Sequence, residues 1–237
     1  MRKLYEKNEV LFAVLWIVVY CLVMAPLKGK YDWSSGWMLL ALLLIAAVIT
    51  AFVGKNRLAG KYGLTGWPRD TKPYLYLLPM WILATANLWD GLAPAFHGLP
   101  LLAAVLSMIL VGYVEELLFR GFLFRALLKK DGPVPAIVIS AVTFGIGHIV
   151  NLLAGQANLD TVIQVFFAIA WGFIFTLAFC KGGSLWPCII IHSLVDVASV
   201  FAVDNITVGL IYMIATIAVA AVYVPWLWRQ ETQLAES

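Results

Sequence analysis

The chain has 237 residues, of which 63% are hydrophobic and 12% are charged, and it carries a formal net charge of +3 at pH 7. This composition and a mean hydropathy of +0.92 lie outside the range of soluble domains. They exclude a soluble enzyme or a soluble binding module, and they predict an all-α, polytopic membrane protein.

Apolar windows of the length that crosses a bilayer, roughly 20 residues, follow one another along the chain and predict about eight transmembrane helices. In chain order these run from about Val10 to Leu27, Gly36 to Gly54, Pro73 to Trp89, Pro100 to the segment ALLKKDGP, Pro133 to Leu153, Asp160 to Cys180, Ser184 to Val203 and Ile206 to Trp228. The first is predicted to be a retained span, because its apolar run is long for a signal peptide. The connections are too short to fold alone, so a single membrane domain covers residues 1–237.

Lysine and arginine residues are concentrated on alternate connections and on the two tails, and only Lys28 and Lys30 fall on the opposite side. The positive-inside rule therefore predicts that both termini are cytoplasmic. Since topology explains the excess positive charge, we expect the lipid bilayer as a partner and no nucleic acid. The 3 cysteines show no metal-ligand spacing and predict neither a disulfide framework nor a zinc knuckle.

Ionisable residues inside predicted spans are costly to bury and are therefore functional candidates. They are Glu115, Glu116 and Arg120 in the fourth span, His148 in the fifth, and His192 and Asp196 in the seventh. We expect them to meet at one depth, in an active site inside the bundle. The pattern alone is compatible with a buried structural network, with general acid-base chemistry on a water molecule, or with a zinc site.

Helix geometry separates the two glutamates. Each helical residue advances by about 100°, so Arg120 lies about 40° from Glu116 and about 140° from Glu115. Glu116 and Arg120 are therefore predicted to form an ion pair within one helix. Glu115 faces another direction and must find its partner on a neighbouring helix.

Three motifs in this order resemble the CAAX protease and bacteriocin-processing family of intramembrane endopeptidases, also called the Abi or CPBP family. They read EELLFR from Glu115, FGIGH from Phe144 and HSLVD from His192. The resemblance covers residues 99–203, which we expect to be the catalytic core. It implies an intramembrane protease, a hydrolase similar to CAAX prenyl protease 2.

The resemblance also implies roles for individual residues. Glu115 would activate the attacking water with His148 as its partner, and His192 with Asp196 would hold the oxyanion. Glu116, Arg120 and Phe144 would be supporting residues. Many family members have asparagine where this chain has Asp196, and an ionised aspartate cannot donate a hydrogen bond. Asp196 would then be protonated, accept the ring N–H of His192, or bind a cation.

A metal-free glutamate mechanism without a cofactor is favoured, while zinc held by Glu115, His148 and His192 stays the alternative. The expected substrate is a membrane-associated peptide or protein. The short loops and basic start are typical of a bacterial cell membrane protein, which favours bacteriocin-type peptide processing or self-immunity over processing of CAAX tails. A proton-coupled or cation-coupled transporter and a non-catalytic peptide-binding scaffold are the alternative functions.

Overall fold

The computed structural model describes residues 1–68, 78–203 and 205–230, and its regular structure in these ranges is helical. The helices are α1 (Arg2–Lys7), α2 (Glu9–Lys28), α3 (Gly36–Lys55), α4 (Leu78–Ala84), α5 (Gly98–Glu116), a π-helical segment (Leu117–Phe124), α6 (Arg125–Asp131), α7 (Pro133–Gly147), α8 (Val150–Leu153), α9 (Asn158–Gly182), α10 (Trp186–Ser199) and α11 (Ile206–Trp228). The described ranges contain no strand, which confirms the predicted all-α class.

Six helical stretches of the described chain are long and apolar enough to cross a membrane. They are Glu9–Lys28, Gly36–Lys55, Gly98–Asp131, Pro133–Leu153, Asn158–Gly182 and Ile206–Trp228. The predicted number of eight spans is not confirmed. The third predicted span falls partly on residues 73–77, outside the described ranges, and continues as the short helix α4 and a 3-10 turn at Ala86–Leu88.

The seventh predicted span is the apolar helix α10, which has 14 residues. Its length of about 21 Å is less than the hydrocarbon thickness of about 30 Å. The apolar window extends further than the helix because Val200 and Phe201 leave it and accept hydrogen bonds from the amides of Ala95 and Ala93, at 3.3 and 2.9 Å. Hydropathy alone does not distinguish an apolar segment that forms a turn from one that continues the helix.

Local signals in the sequence set several helix ends. The side chain of Asn8 accepts a hydrogen bond from the amide of Leu11 at the start of α2, and Asn205 caps α11 in the same way. Pro133 begins α7, where the missing N–H costs nothing. Gly183 ends α9 in the left-handed conformation that a residue with a side chain rarely adopts.

Small residues allow the motif-bearing helices to approach closely. Helix α10 packs against α5, and α9 packs against α7 and α11. A β-carbon on Gly112 of α5 would lie 2.8 Å from the amide nitrogen of Ser193 in α10, and one on Gly172 of α9 would lie 2.7 Å from the carbonyl oxygen of Ala141 in α7. The backbones can meet there only because these positions lack side chains.

Candidate active site

The first motif lies where regular α-helix ends. Glu115 and Glu116 are the last two residues of α5, and Arg120 lies in the π-helical segment that follows. Every residue of that segment is buried. Because a π-helix has a wider turn than an α-helix, it changes the direction in which the following side chains point, and such segments are frequent at functional sites.

Glu116 connects the first motif to the third. Its side chain is completely buried, and its Oε1 accepts hydrogen bonds from Arg120 Nη1 at 2.8 Å and from His192 Nδ1 at 2.9 Å. The pair with Arg120 was predicted from helix geometry, and the structure contains it. The bond to His192 was not predicted. It directs the other ring nitrogen of His192 away from Glu116.

Aromatic rings enclose the buried ion pair. The guanidinium carbon of Arg120 lies 4.1 Å from the centre of the Phe144 ring and 5.4 Å from that of Phe175. Phe144 meets the His192 ring edge-on at 5.6 Å, and Phe175 stacks on it at 5.9 Å. Cation–π contacts thus stabilise a charge that is removed from water, and the same rings fix the plane of His192.

Glu115 faces a different direction from Glu116, as the helical geometry predicted. Its side chain is 14% exposed and borders a cavity. Its partner from a neighbouring helix is Tyr20 of α2, whose hydroxyl donates a hydrogen bond of 2.8 Å to Oε1. The other carboxylate oxygen, Oε2, lies 3.8 Å from His192 Nε2.

His148 borders the same cavity but does not contact Glu115 directly. It follows the last residue of α7, and its Nδ1 donates a hydrogen bond of 3.0 Å to the carbonyl oxygen of Phe144. Its Nε2 is therefore the nitrogen available to a ligand. No described carboxylate forms an ion pair with its ring. The expected pairing of Glu115 with His148 is thus absent as a direct bond, and the cavity separates the two side chains.

Asp196 lies one helical turn after His192, with Oδ2 at 3.5 Å from His192 Nε2. That oxygen has no hydrogen-bond partner among the described residues. The close bond that orients His192 comes from Glu116, not from Asp196. Nε2 of His192 therefore faces two carboxylates, Glu115 at 3.8 Å and Asp196 at 3.5 Å.

Two cavities meet at these residues. One has a volume of about 220 Å³ and the other about 230 Å³. Both are bordered by Phe144, His148, Gln164, His192, Asp196 and Ser199. The first is also bordered by Glu115, Tyr20 and Lys28, and the second is also bordered by Trp171 and Tyr212. An extended ligand could therefore pass His192 on both sides.

The residues do not fit the alternative zinc site. In the described part of the chain, no three His, Cys, Asp or Glu side chains are arranged to hold a metal ion. His148 forms no ion pair with Glu115 or with another described carboxylate. We therefore derive no step through a metal. The metal-free mechanism stays a prediction, and cleavage in the presence of a chelator tests it.

Comparison with known proteins adds one finding to this geometry. Residues 97–198 match the family model described as Rce1-like, type II CAAX prenyl endopeptidase. This segment is similar to the Rce1-like family. The match contains all three motifs and confirms the family predicted from them, and it supports a protease. No curated protein and no solved structure matches the chain.

The Rce1-like segment and the apolar helices together indicate an integral membrane protein. Tyr20 and Lys28 of α2 border the first cavity and lie outside that segment. Sequence analysis did not single out Tyr20. The available signal was a polar hydroxyl in the middle of an otherwise apolar span, but a span of this kind accepts tyrosine for packing as well.

Proposed function

We propose that the chain is an intramembrane endopeptidase that hydrolyses a peptide bond of a membrane-associated peptide or protein. The observation that carries this proposal is the position of Glu115. Its carboxylate borders a cavity, is held by Tyr20, and faces Nε2 of His192, and His148 borders the same cavity. A carboxylate, two imidazoles and a space between them are suited to water attack on a carbonyl group.

In the proposed reaction, Glu115 accepts a proton from a water molecule that Nε2 of His148 helps to position. The oxygen of that water forms a bond to the carbonyl carbon of the substrate. His192, with a proton on Nε2, donates a hydrogen bond to the carbonyl oxygen as negative charge develops there. The proton on Glu115 then passes to the leaving nitrogen, and the C–N bond breaks to give an acid and an amine.

Glu116 acts through His192 in this proposal. Because it accepts the Nδ1 hydrogen of His192, it holds the ring so that Nε2 points into the cavity. Arg120 neutralises Glu116, so the buried carboxylate does not stand alone. Asp196 contributes a further carboxylate beside Nε2, where it can share the proton that His192 donates.

The Rce1-like family suggests CAAX-type protein tails as substrates. Bacteriocin-type peptide processing or self-immunity, expected from the sequence, is the other substrate class we propose. In both classes the cleaved bond lies in a peptide segment at the membrane. The two cavities that meet at His192 suit such a chain in extended form.

The test uses purified full-length protein in detergent and a library of quenched fluorescent peptides. We expect the wild type to cleave, with or without a chelator, and Glu115→Gln to lose at least about a thousand-fold in rate while its thermal midpoint stays unchanged. Normal cleavage by Glu115→Gln would contradict the assignment. Cleavage that a chelator abolishes would favour a metal mechanism.

A control separates catalysis from folding. Arg120→Ala leaves Glu116 buried without its counterion, a change that costs about 3–5 kcal/mol. We expect this variant to lower the amount of folded protein in the membrane, whereas Glu115→Gln does not. If the wild type cleaves nothing in the library, the transporter and scaffold functions regain support.

A further inference from the structure

Lys28 is a cation at the wall of the first cavity, and the catalytic proposal makes no use of it. It is the last residue of α2, and its Nζ donates a hydrogen bond of 2.8 Å to Asn151 Oδ1. Nζ also lies 5.0 Å from the centre of the Trp33 ring. These two contacts hold the ammonium group against the cavity. No described carboxylate forms an ion pair with it.

Neutral amide side chains surround this ammonium group. Asn151 Nδ2 donates a hydrogen bond of 2.7 Å to Gln164 Oε1, and Gln156 Nε2 donates one of 2.9 Å to the same oxygen. The amides therefore hold one another in place and offer Lys28 a neutral oxygen. An ammonium group has three N–H donors, and the bond to Asn151 uses one of them. We call this group the Lys28 subsite, and it consists of Lys28, Trp33, Asn151, Gln156 and Gln164.

Charge is distributed unevenly along the cavity. Lys28 and the carboxyl groups of Glu115 and Asp196 border the same cavity, and none of these carboxyl groups forms an ion pair with Lys28. Lys28 follows Tyr20, the partner of Glu115, by two helical turns of α2, so the backbone positions of Lys28 and Tyr20 are about 12 Å apart along the helix. An extended peptide covers such a distance with a few residues.

We propose that the Lys28 subsite binds a carboxylate group of the substrate, a few residues away from the bond that is cleaved. This inference rests on the proposed function and adds a specificity determinant to it. A negative group is attracted by Lys28 and repelled by Glu115 and Asp196, so its binding fixes the direction in which the peptide crosses the cavity. The carboxylate is either the C-terminus of the substrate or an acidic side chain.

The experiment measures equilibrium binding to the full-length Glu115→Gln protein in detergent, where no probe is consumed. The probes are a fluorescein-labelled apolar octapeptide with a free C-terminus, its C-terminal amide, and two further amides that carry Glu or Gln at an internal position. We expect an acidic probe to bind at least ten-fold more tightly than its neutral counterpart. A preference for the free C-terminus over its amide identifies the substrate C-terminus as the carboxylate. A preference for the internal Glu over the internal Gln identifies an acidic side chain.

Three further variants locate the effect. In the Glu115→Gln background, Lys28→Met should abolish the preference and Lys28→Arg should retain it. Lys30→Met is the matched control, because Lys30 lies near the same end of α2, is exposed, and interacts with the Tyr31 ring outside the cavity. Equal binding of acidic and neutral probes, a preference that survives Lys28→Met, or no binding of any probe would overturn the proposal.

The outcomes also separate this inference from the proposed function. If the wild type cleaves no library peptide while Lys28 still selects acidic probes, the protease proposal fails and the subsite stands. If the wild type cleaves acidic and neutral peptides equally, with no effect of Lys28→Met on either, the subsite fails and the protease proposal stands.

Discussion

At the scale of single residues, Tyr20 gives Glu115 a fixed hydrogen-bond donor from a helix outside the Rce1-like segment. The hydroxyl occupies one carboxylate oxygen, Oε1, and leaves Oε2 toward His192. Such a bond limits rotation of the carboxylate and selects the oxygen that receives the proton of the water. Tyr20 is thus a positioning residue for the proposed base.

Replacing Tyr20 by phenylalanine removes only that hydroxyl. A hydrogen bond to a charged group contributes about 1.5–3 kcal/mol, so we expect cleavage to slow by roughly ten-fold to a hundred-fold. The change should lower kcat more than it raises KM, because the hydroxyl acts on Glu115. Turnover of a cleaved library peptide measures both constants.

Tyr113→Phe is the matched control for this prediction. Tyr113 shares a hydrogen bond of 2.7 Å with Thr50, and neither residue borders the two cavities. Loss of the Tyr113 hydroxyl should leave kcat unchanged. A Tyr20→Phe variant with wild-type kcat, or one that loses rate only in proportion to folded protein, would argue against the positioning role.

The sequence was sufficient to predict the different directions of the two glutamates in the first motif. It was not sufficient to predict the contacts between motifs that assemble the site. Angles within one helix showed that Glu116 pairs with Arg120 and that Glu115 faces elsewhere. The bond between Glu116 and His192 joins positions 76 residues apart. Contacts of this kind depend on the packing of α5 against α10, which no spacing within either helix determines.

At the scale of elements, the apolar windows predicted most helices, whereas the predicted number of eight spans is not confirmed by the six long apolar helices of the described chain. Strong hydropathy located α2, α3, α9 and α11 closely. The windows missed the end of α10, because the residues that follow it are equally apolar but form a turn. Hydropathy reports the surroundings of a residue, whereas the end of a helix depends on backbone hydrogen bonds.

Gly145 is a position at which a single added methyl group should disturb the contact between two helices. A β-carbon there would lie 2.8 Å from the amide nitrogen of Ile169 and 2.9 Å from the carbonyl oxygen of Val165, both in α9. Since backbone cannot move aside cheaply, Gly145→Ala should separate α7 from α9 and cost about 1–3 kcal/mol. Thermal unfolding in detergent measures the loss.

Gly54→Ala provides the comparison for Gly145→Ala. Gly54 also lies in a helix, α3, and a β-carbon there meets nothing within 4 Å. Alanine has the higher helix propensity, so this variant should be as stable as the wild type or slightly more stable. Equal midpoints for the two variants would mean that α7 and α9 tolerate a wider separation than the structure indicates.

At the scale of the whole molecule, the positively charged residues that flank the long apolar helices predict how the chain is oriented in the membrane. Lys3 and Lys30 lie on either side of α2, the first of the six long apolar helices. Arg229 follows the last of them. The positive-inside rule predicts that Lys3 and Arg229 share the cytoplasmic face and that Lys30 is on the other face.

Cysteine labelling in intact cells tests this arrangement. After Cys21, Cys180 and Cys188 are replaced by alanine, a single cysteine is placed at position 3, 30 or 229 and treated with a maleimide that does not cross membranes. We expect labelling at position 30 only. Labelling at positions 3 and 229, with none at position 30, would invert the predicted orientation.

Position 229 carries additional information, because it reports whether the number of crossings is even or odd. The six long helices give an even number, and α10 together with the segment around α4 would add two more crossings. If only one of these two shorter elements crosses, the C-terminus lies on the face opposite to the N-terminus, and position 229 is labelled together with position 30. If a cysteine at position 229 is labelled like one at position 3, then α10 and the α4 segment either both cross the membrane or both remain on one side of it. In the first case His192, near the middle of α10, lies deep in the bilayer, as a protease that cleaves within the membrane requires.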